Sequence, residues 1–66
     1  MTEIEYRSIG YILDNLEAQE ARMCARYAEL NPADAQRRQR EAAIYTTALH
    51  TVRSHIKELY SRKSAQ

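Results

Sequence analysis

The chain has 66 residues, of which 44% are apolar and 29% charged, and its formal net charge at neutral pH is +1. A chain of this length forms one domain, and it is too short for an ordinary enzyme fold with a deep cleft. A core of this size is marginally stable, and a single cysteine cannot form an intrachain disulfide, so we expect oligomerisation to supplement the core.

The first predicted element is a helix over about residues 3–30. Thr2 and Glu5 have the Thr-x-x-Glu spacing of a capping box. From there, core candidates recur at alternating spacings of three and four, which is typical of a helix that packs along one stripe. The stripe consists of Tyr6, Ile9, Leu13, Leu16, Glu20, Met23, Tyr27 and Leu30. Gly10 costs roughly 1 kcal/mol inside a helix relative to alanine, which indicates either close approach by another chain or a local kink.

Residues 31–32 are predicted to form a turn. Pro32 lacks an amide hydrogen and disfavours helical torsions at the residue before it, so the first helix should end near Leu30. Asn31 is a favoured N-cap, and Asp34 can provide the acid of a shortened capping box for the next helix. The sequence therefore predicts that the chain reverses direction at this point.

The second helix is predicted over about residues 33–62, with a frayed tail over residues 63–66. Its stripe consists of Ala35, Arg38, Ala42, Tyr45, Leu49, Val52, Ile56 and Leu59. A short connection makes the two helices antiparallel neighbours. The residue numbers of two facing positions then have a constant sum. In the predicted register Tyr6 faces Leu59, Leu16 faces Leu49, Glu20 faces Tyr45 and Tyr27 faces Arg38.

The predicted fold class is all-α: one antiparallel two-helix coiled-coil hairpin spanning residues 1–66, which dimerises into a four-helix bundle. A hairpin buries only one stripe per helix, so one broad side is expected to pack on a second copy. The side without charge at its centre is the candidate, and it carries Ser8, Ile12, Asn15, Gln19, Ile44, Ala48, Thr51 and His55. The alternative is a lone hairpin with isolated surface isoleucines.

No residue pattern indicates catalysis, a metal site, a cofactor or a small-molecule substrate. His50 and His55 are five positions apart, so they point in different directions on a helix and do not form the i, i+4 pair of metal-binding helices. Cys24 has no histidine at a readable spacing, and the hydroxyl residues have no neighbouring base. We therefore predict that the chain is not an enzyme.

Two groups of residues are candidates for binding a partner. Five arginines are expected to meet at the turn end, namely Arg22, Arg26, Arg37, Arg38 and Arg40. They could bind phosphates or an acidic protein surface, or be paired with the nearby acids Glu29, Asp34 and Glu41. The outer face of the first helix offers Ile4 and Tyr11, which could dock a partner helix or could simply be scattered exposed residues.

These features predict a small helical module that binds and modulates another protein, as accessory or phage-type regulators do. Nucleic-acid binding through the arginines is the alternative. No apolar run reaches the roughly 18 residues of a membrane span, and the acidic start is unlike a signal peptide, so we expect a cytoplasmic, unprocessed homodimer.

Overall fold

The computed structural model describes the backbone of residues 1–64 and the side chains of residues 1–62. Helix α1 spans Glu3–Leu30, a short 3-10 turn spans Pro32–Asp34, and helix α2 spans Ala35–Ser64. The two helices pack against each other, which confirms the expected all-helical hairpin. The Cα atoms occupy 53 × 17 × 8 Å, so the molecule is a flat slab with two broad sides.

The ends of the helices differ in part from the prediction. The helical backbone of α2 continues through residues 63 and 64, which were expected to fray, whereas residues 65–66 of the expected tail lie outside the described residues. The capping box at the start of α1 is confirmed: the amide of Thr2 donates to Glu5 Oε1 at 3.0 Å, and the amide of Glu5 donates to Thr2 Oγ1 at 3.1 Å.

The turn is built differently from the expected second capping box. Asn31 ends α1 by donating its backbone N–H to the Tyr27 carbonyl at 2.8 Å, and its side-chain Nδ2 donates to the same oxygen at 3.3 Å. Its side chain therefore does not cap the second helix. Pro32 opens the 3-10 turn, where its missing amide is harmless and its fixed φ is suitable.

The centre of the hairpin is small. Among the described side chains only Leu13 and Leu49 are buried, with 6% and 8% of their surfaces exposed. The residues around them that are half-buried differ in part from the predicted stripes. They include Gly10, Glu17 and Cys24 in α1, and Thr46, Arg53 and Tyr60 in α2.

Five residues predicted to lie in the stripes are instead exposed: Met23, Leu30, Tyr45, Val52 and Leu59. Each stripe consists of two rows of residues, and in each helix the exposed members all come from the same row. In α2 the next residue in the sequence is half-buried in each case, namely Thr46, Arg53 and Tyr60. Both helices are therefore rotated about their own axes relative to the prediction, and we call this rotation the roll. It turns the exposed row of each helix toward the same broad side of the slab. A straight helix has 3.6 residues per turn, whereas a heptad stripe assumes 3.5. The row of residues that faces the other helix therefore changes along the length of the helix.

The roll also changes the predicted partners across the hairpin. The ring of Tyr6 stacks on Tyr60, with centroids 4.3 Å apart and planes inclined by 10°, where Leu59 had been expected. Glu20 pairs with Arg38 at 2.6 Å, where Tyr45 had been expected. The stacked rings add to the apolar contact between the helices, and the ion pair compensates the charges of two half-buried side chains.

Candidate interaction surfaces

One broad side of the hairpin is rich in exposed apolar residues, and we call it the apolar side. Helical spacing places on it Ile12, Met23, Leu30, Ile44, Tyr45, Val52 and Leu59. All eight residues predicted from the sequence to form a dimer interface are exposed, and the same spacing places them on or beside this side. The apolar surface is therefore larger than predicted, because the roll of the helices adds residues that had been assigned to the core.

The opposite broad side holds two polar contacts between the helices, one of them an ion pair, and we call it the charged side. Arg53 Nη2 donates to Asp14 Oδ1 at 2.6 Å, and His50 Nε2 lies 3.1 Å from Glu17 Oε1. No partner for His50 was predicted from the sequence. The signal was nevertheless present, because the antiparallel register brings residues 14 and 17 to the level of residues 53 and 50.

At the turn end, Arg37 is engaged by three acidic or polar side chains. Its guanidinium binds both carboxylate oxygens of Asp34, at 2.5 and 2.8 Å, and it also pairs with Glu41 and with the Tyr27 hydroxyl. Hydrogen bonds from Arg37, and then from Tyr27, lower the pKa of Asp34 from 3.8 to about 2. The hydrogen bonds that Arg37 donates to Asp34 also raise the pKa of Arg37. Arg37 therefore acts mainly as a structural clamp on the turn.

Arg38 is also engaged within the chain. It points between the helices and binds Glu20, and each of these two side chains has only 14% of its surface exposed. The hydrogen bond that Arg38 donates to Glu20 raises the pKa of Arg38, so its charge is held in this pair. The predicted cluster of five arginines is thus divided, with Arg37 and Arg38 committed to the fold.

The other three arginines of the cluster are exposed and take part in none of the ion pairs found among the described residues. They are Arg22, Arg26 and Arg40. Arg22 and Arg26 line a shallow depression on α1 together with Ala25, Glu29 and Leu30. These three arginines are therefore the part of the predicted cluster that remains available to a partner.

A groove of about 320 Å³ opens beside Gly10 near the end of the hairpin away from the turn. Its walls are formed by tyrosine and aliphatic side chains, and its rim by charged ones. The lining residues are Tyr6, Arg7, Ile9, Gly10, Tyr11, Leu13, Asp14, Arg53 and Ile56. Of the two outer-face candidates, Tyr11 lines this groove, whereas Ile4 is exposed and does not.

The described part of the chain offers no group of three or more His, Cys, Asp or Glu side chains placed to hold a metal ion. Within the same residues, neither helix combines the length and the apolar character needed to cross a membrane. No protein-family model, curated protein or solved structure matches the chain.

Proposed function

We propose that this chain is a small, non-enzymatic protein-interaction module that associates through its apolar side into a four-helix bundle and, in that form, binds and modulates another protein. The observation that carries the proposal is the amount of apolar surface that a single hairpin leaves uncovered. Among the side chains of residues 1–62, nine large apolar ones are exposed, and seven of them lie on the apolar side.

The size of the exposed area supports the proposal that a second copy of the chain covers this surface. The hairpin exposes 5263 Å² for a mass of 7.7 kDa. A compact monomer of that mass exposes roughly 4,300 Å², which leaves an excess of about 900 Å². Standard protein interfaces bury about 800 Å² on each partner. One symmetrical contact would therefore cover the excess.

The distribution of charge favours the apolar side over the charged side for this contact. Asp14, Glu17 and Arg53 would lose hydration if the charged side were buried, which costs free energy even when the charges are paired. The centre of the apolar side carries no formal charge, so it can be buried at little cost in desolvation.

Sedimentation of the purified chain tests the self-association. We expect a dimer at micromolar concentration, and we expect Val52→Glu to give a helical monomer because a carboxylate at the contact would be desolvated. Ala43→Glu is the matched control, since it adds the same charge to an exposed position of α2 outside the apolar side. A wild-type chain that sediments only as a monomer would reject the bundle.

Nucleic-acid binding has less support. Arg37 and Arg38 form ion pairs within the hairpin, so they contribute little net attraction for phosphates. Binding of RNA or DNA that falls steeply between about 50 and 200 mM salt, and that depends on Arg22, Arg26 and Arg40, would favour this alternative.

A further inference from the structure

On the apolar side, the exposed residues near the middle of each helix form a pair with a defined midpoint. In α1 the pair is Ile12 and Met23, whose residue numbers add to 35. In α2 the pair is Ile44 and Val52, whose residue numbers add to 96. The midpoint of the first pair therefore lies between residues 17 and 18, and the midpoint of the second pair is residue 48.

These two midpoints lie at the same height along the hairpin. Contacts between the helices show which residues are level with each other. The residue numbers of Tyr6 and Tyr60, whose rings stack, add to 66, and those of Glu17 and His50, which lie 3.1 Å apart, add to 67. These sums place residue 48 of α2 level with residues 18 and 19 of α1, which is within about 2 Å of the midpoint of the α1 pair. The apolar pairs of the two helices thus share one centre.

A shared centre suits a two-fold axis that lies in the plane of contact and runs across both helices. Each helix then packs antiparallel on its own copy, and facing residue numbers add to 35 in α1 and to 96 in α2. Ile12 faces Met23 of the second copy, and Ile44 faces Val52 of the second copy. Ala48 lies on the axis and faces itself, and its small side chain lets the two α2 helices approach closely.

The other two-fold arrangement matches the apolar residues less well. With the axis parallel to the helices, the two turns lie at the same end, and α1 of one copy packs on α2 of the other at the same height. Ile12 then faces His55 and Leu59 faces Ser8, so two exposed apolar side chains meet polar ones. Exposed ion pairs contribute little in either arrangement, so the apolar contacts decide between the two.

We infer that the second copy docks in the opposite direction, with the turn of each hairpin over the open end of the other and the two-fold axis passing through Ala48. This orientation rests on the proposed self-association and goes beyond it by fixing which residues of the two copies meet. At the ends of the contact, Leu30 and Leu59 lie over the aliphatic stems of Glu5 and Arg37 of the second copy. The charged sides form the two outer faces of the bundle.

The distance between the two turns tests the orientation. A spin label is attached to Ala33→Cys, at an exposed position of the turn, after the single native cysteine is replaced by Cys24→Ala. In the opposed orientation the two labels lie about 40 Å apart, because each turn is about 15 residues of helix from the centre. With both turns at one end, they would lie less than about 25 Å apart, since packed helices are 8–10 Å from each other. Electron paramagnetic resonance measures the distance. A label on Thr47→Cys, close to the centre, is the control and should give less than about 25 Å in either orientation.

Disulfide formation tests the register in the same Cys24→Ala background. We expect Ala48→Cys to oxidise to a covalent dimer, because a disulfide requires Cα atoms about 4–7 Å apart and the two copies of this residue meet on the axis. His55→Cys is the matched control, since it is exposed on the same side of α2 and lies about 20 Å from its own copy. It should be cross-linked at least about tenfold more slowly.

Sedimentation separates failure of this orientation from failure of the proposed self-association. A chain that sediments as a dimer but has its turn labels less than about 25 Å apart would overturn the orientation and leave the bundle standing. Equal rates of cross-linking for Ala48→Cys and His55→Cys in such a dimer would overturn the register. A wild-type monomer would reject the bundle and the orientation together.

Discussion

The hydroxyl of Tyr27 donates a 2.5 Å hydrogen bond to the carboxylate of Asp34 and so ties the last turn of α1 to the 3-10 turn. Arg37 binds both of these side chains. We expect Tyr27→Phe to lower the melting temperature by a few degrees, because Asp34 loses a donor while the ring remains. Thermal unfolding followed by circular dichroism measures the effect. Tyr11→Phe, at a tyrosine that is 62% exposed and lies outside the apolar side, is the control and should leave the melting temperature unchanged.

The same carboxylate should make stability depend on pH in the acid range. The pKa of Asp34 is about 2 in the folded chain against an ordinary value of 3.8. A lowered folded pKa stabilises the fold fully above the unfolded value, and this stabilisation is lost as the pH falls from about 3.8 to 2. Urea unfolding at several pH values should show this loss. In Asp34→Asn the loss should be smaller, and an identical profile would contradict the assigned role.

Leu13 should be the costliest single apolar residue of α1 to truncate. It is 6% exposed, whereas Ile4 is 77% exposed on the same helix. We expect Leu13→Ala to reduce the free energy of unfolding by about 2–4 kcal/mol, through lost burial and the cavity left behind. Ile4→Ala should change it by less than about 0.5 kcal/mol. Urea denaturation at one protein concentration measures both, and equal effects would show that the hairpin does not pack around Leu13.

Glu20 and Arg38 should behave as a coupled pair. Each single replacement by leucine leaves the other charge half-buried without its partner, so both single variants should be destabilised. The double replacement by leucine should be more stable than either single variant, since leucine suits a site between two helices. A double-mutant cycle in urea measures the coupling. The exposed pair of Glu58 and Arg62 is the control and should show little or none.

The sequence was sufficient to predict the hairpin, because proline chemistry and a capping box are local signals. The start of α1 and the reversal near Pro32 depend on neighbouring residues alone. Leu13 and Leu49 were also correctly predicted as inward, since each lies at the centre of a clear apolar stripe. These elements could be derived without knowing how the helices contact each other.

The rotation of each helix about its own axis could not be derived from such local signals. Two neighbouring heptad stripes are related by a shift of one position in the sequence, and both stripes contain apolar side chains in this chain. The outcome depends on cross-helix contacts, such as the stacking of Tyr6 on Tyr60 and the ion pair of Asp14 with Arg53. For the same reason the groove over Gly10 was not found, although the unexplained glycine was a signal for it.

The thinness of the slab has a consequence for any molecule that docks on it. Ile9, Leu13 and Ile56 belong to the stripes between the helices, and they also form the inner wall of the groove. A single layer of side chains thus serves as the back of one broad side and the front of the other. Truncation of Leu13 should therefore alter both broad sides at once, so neither surface can be changed at its base without disturbing the other.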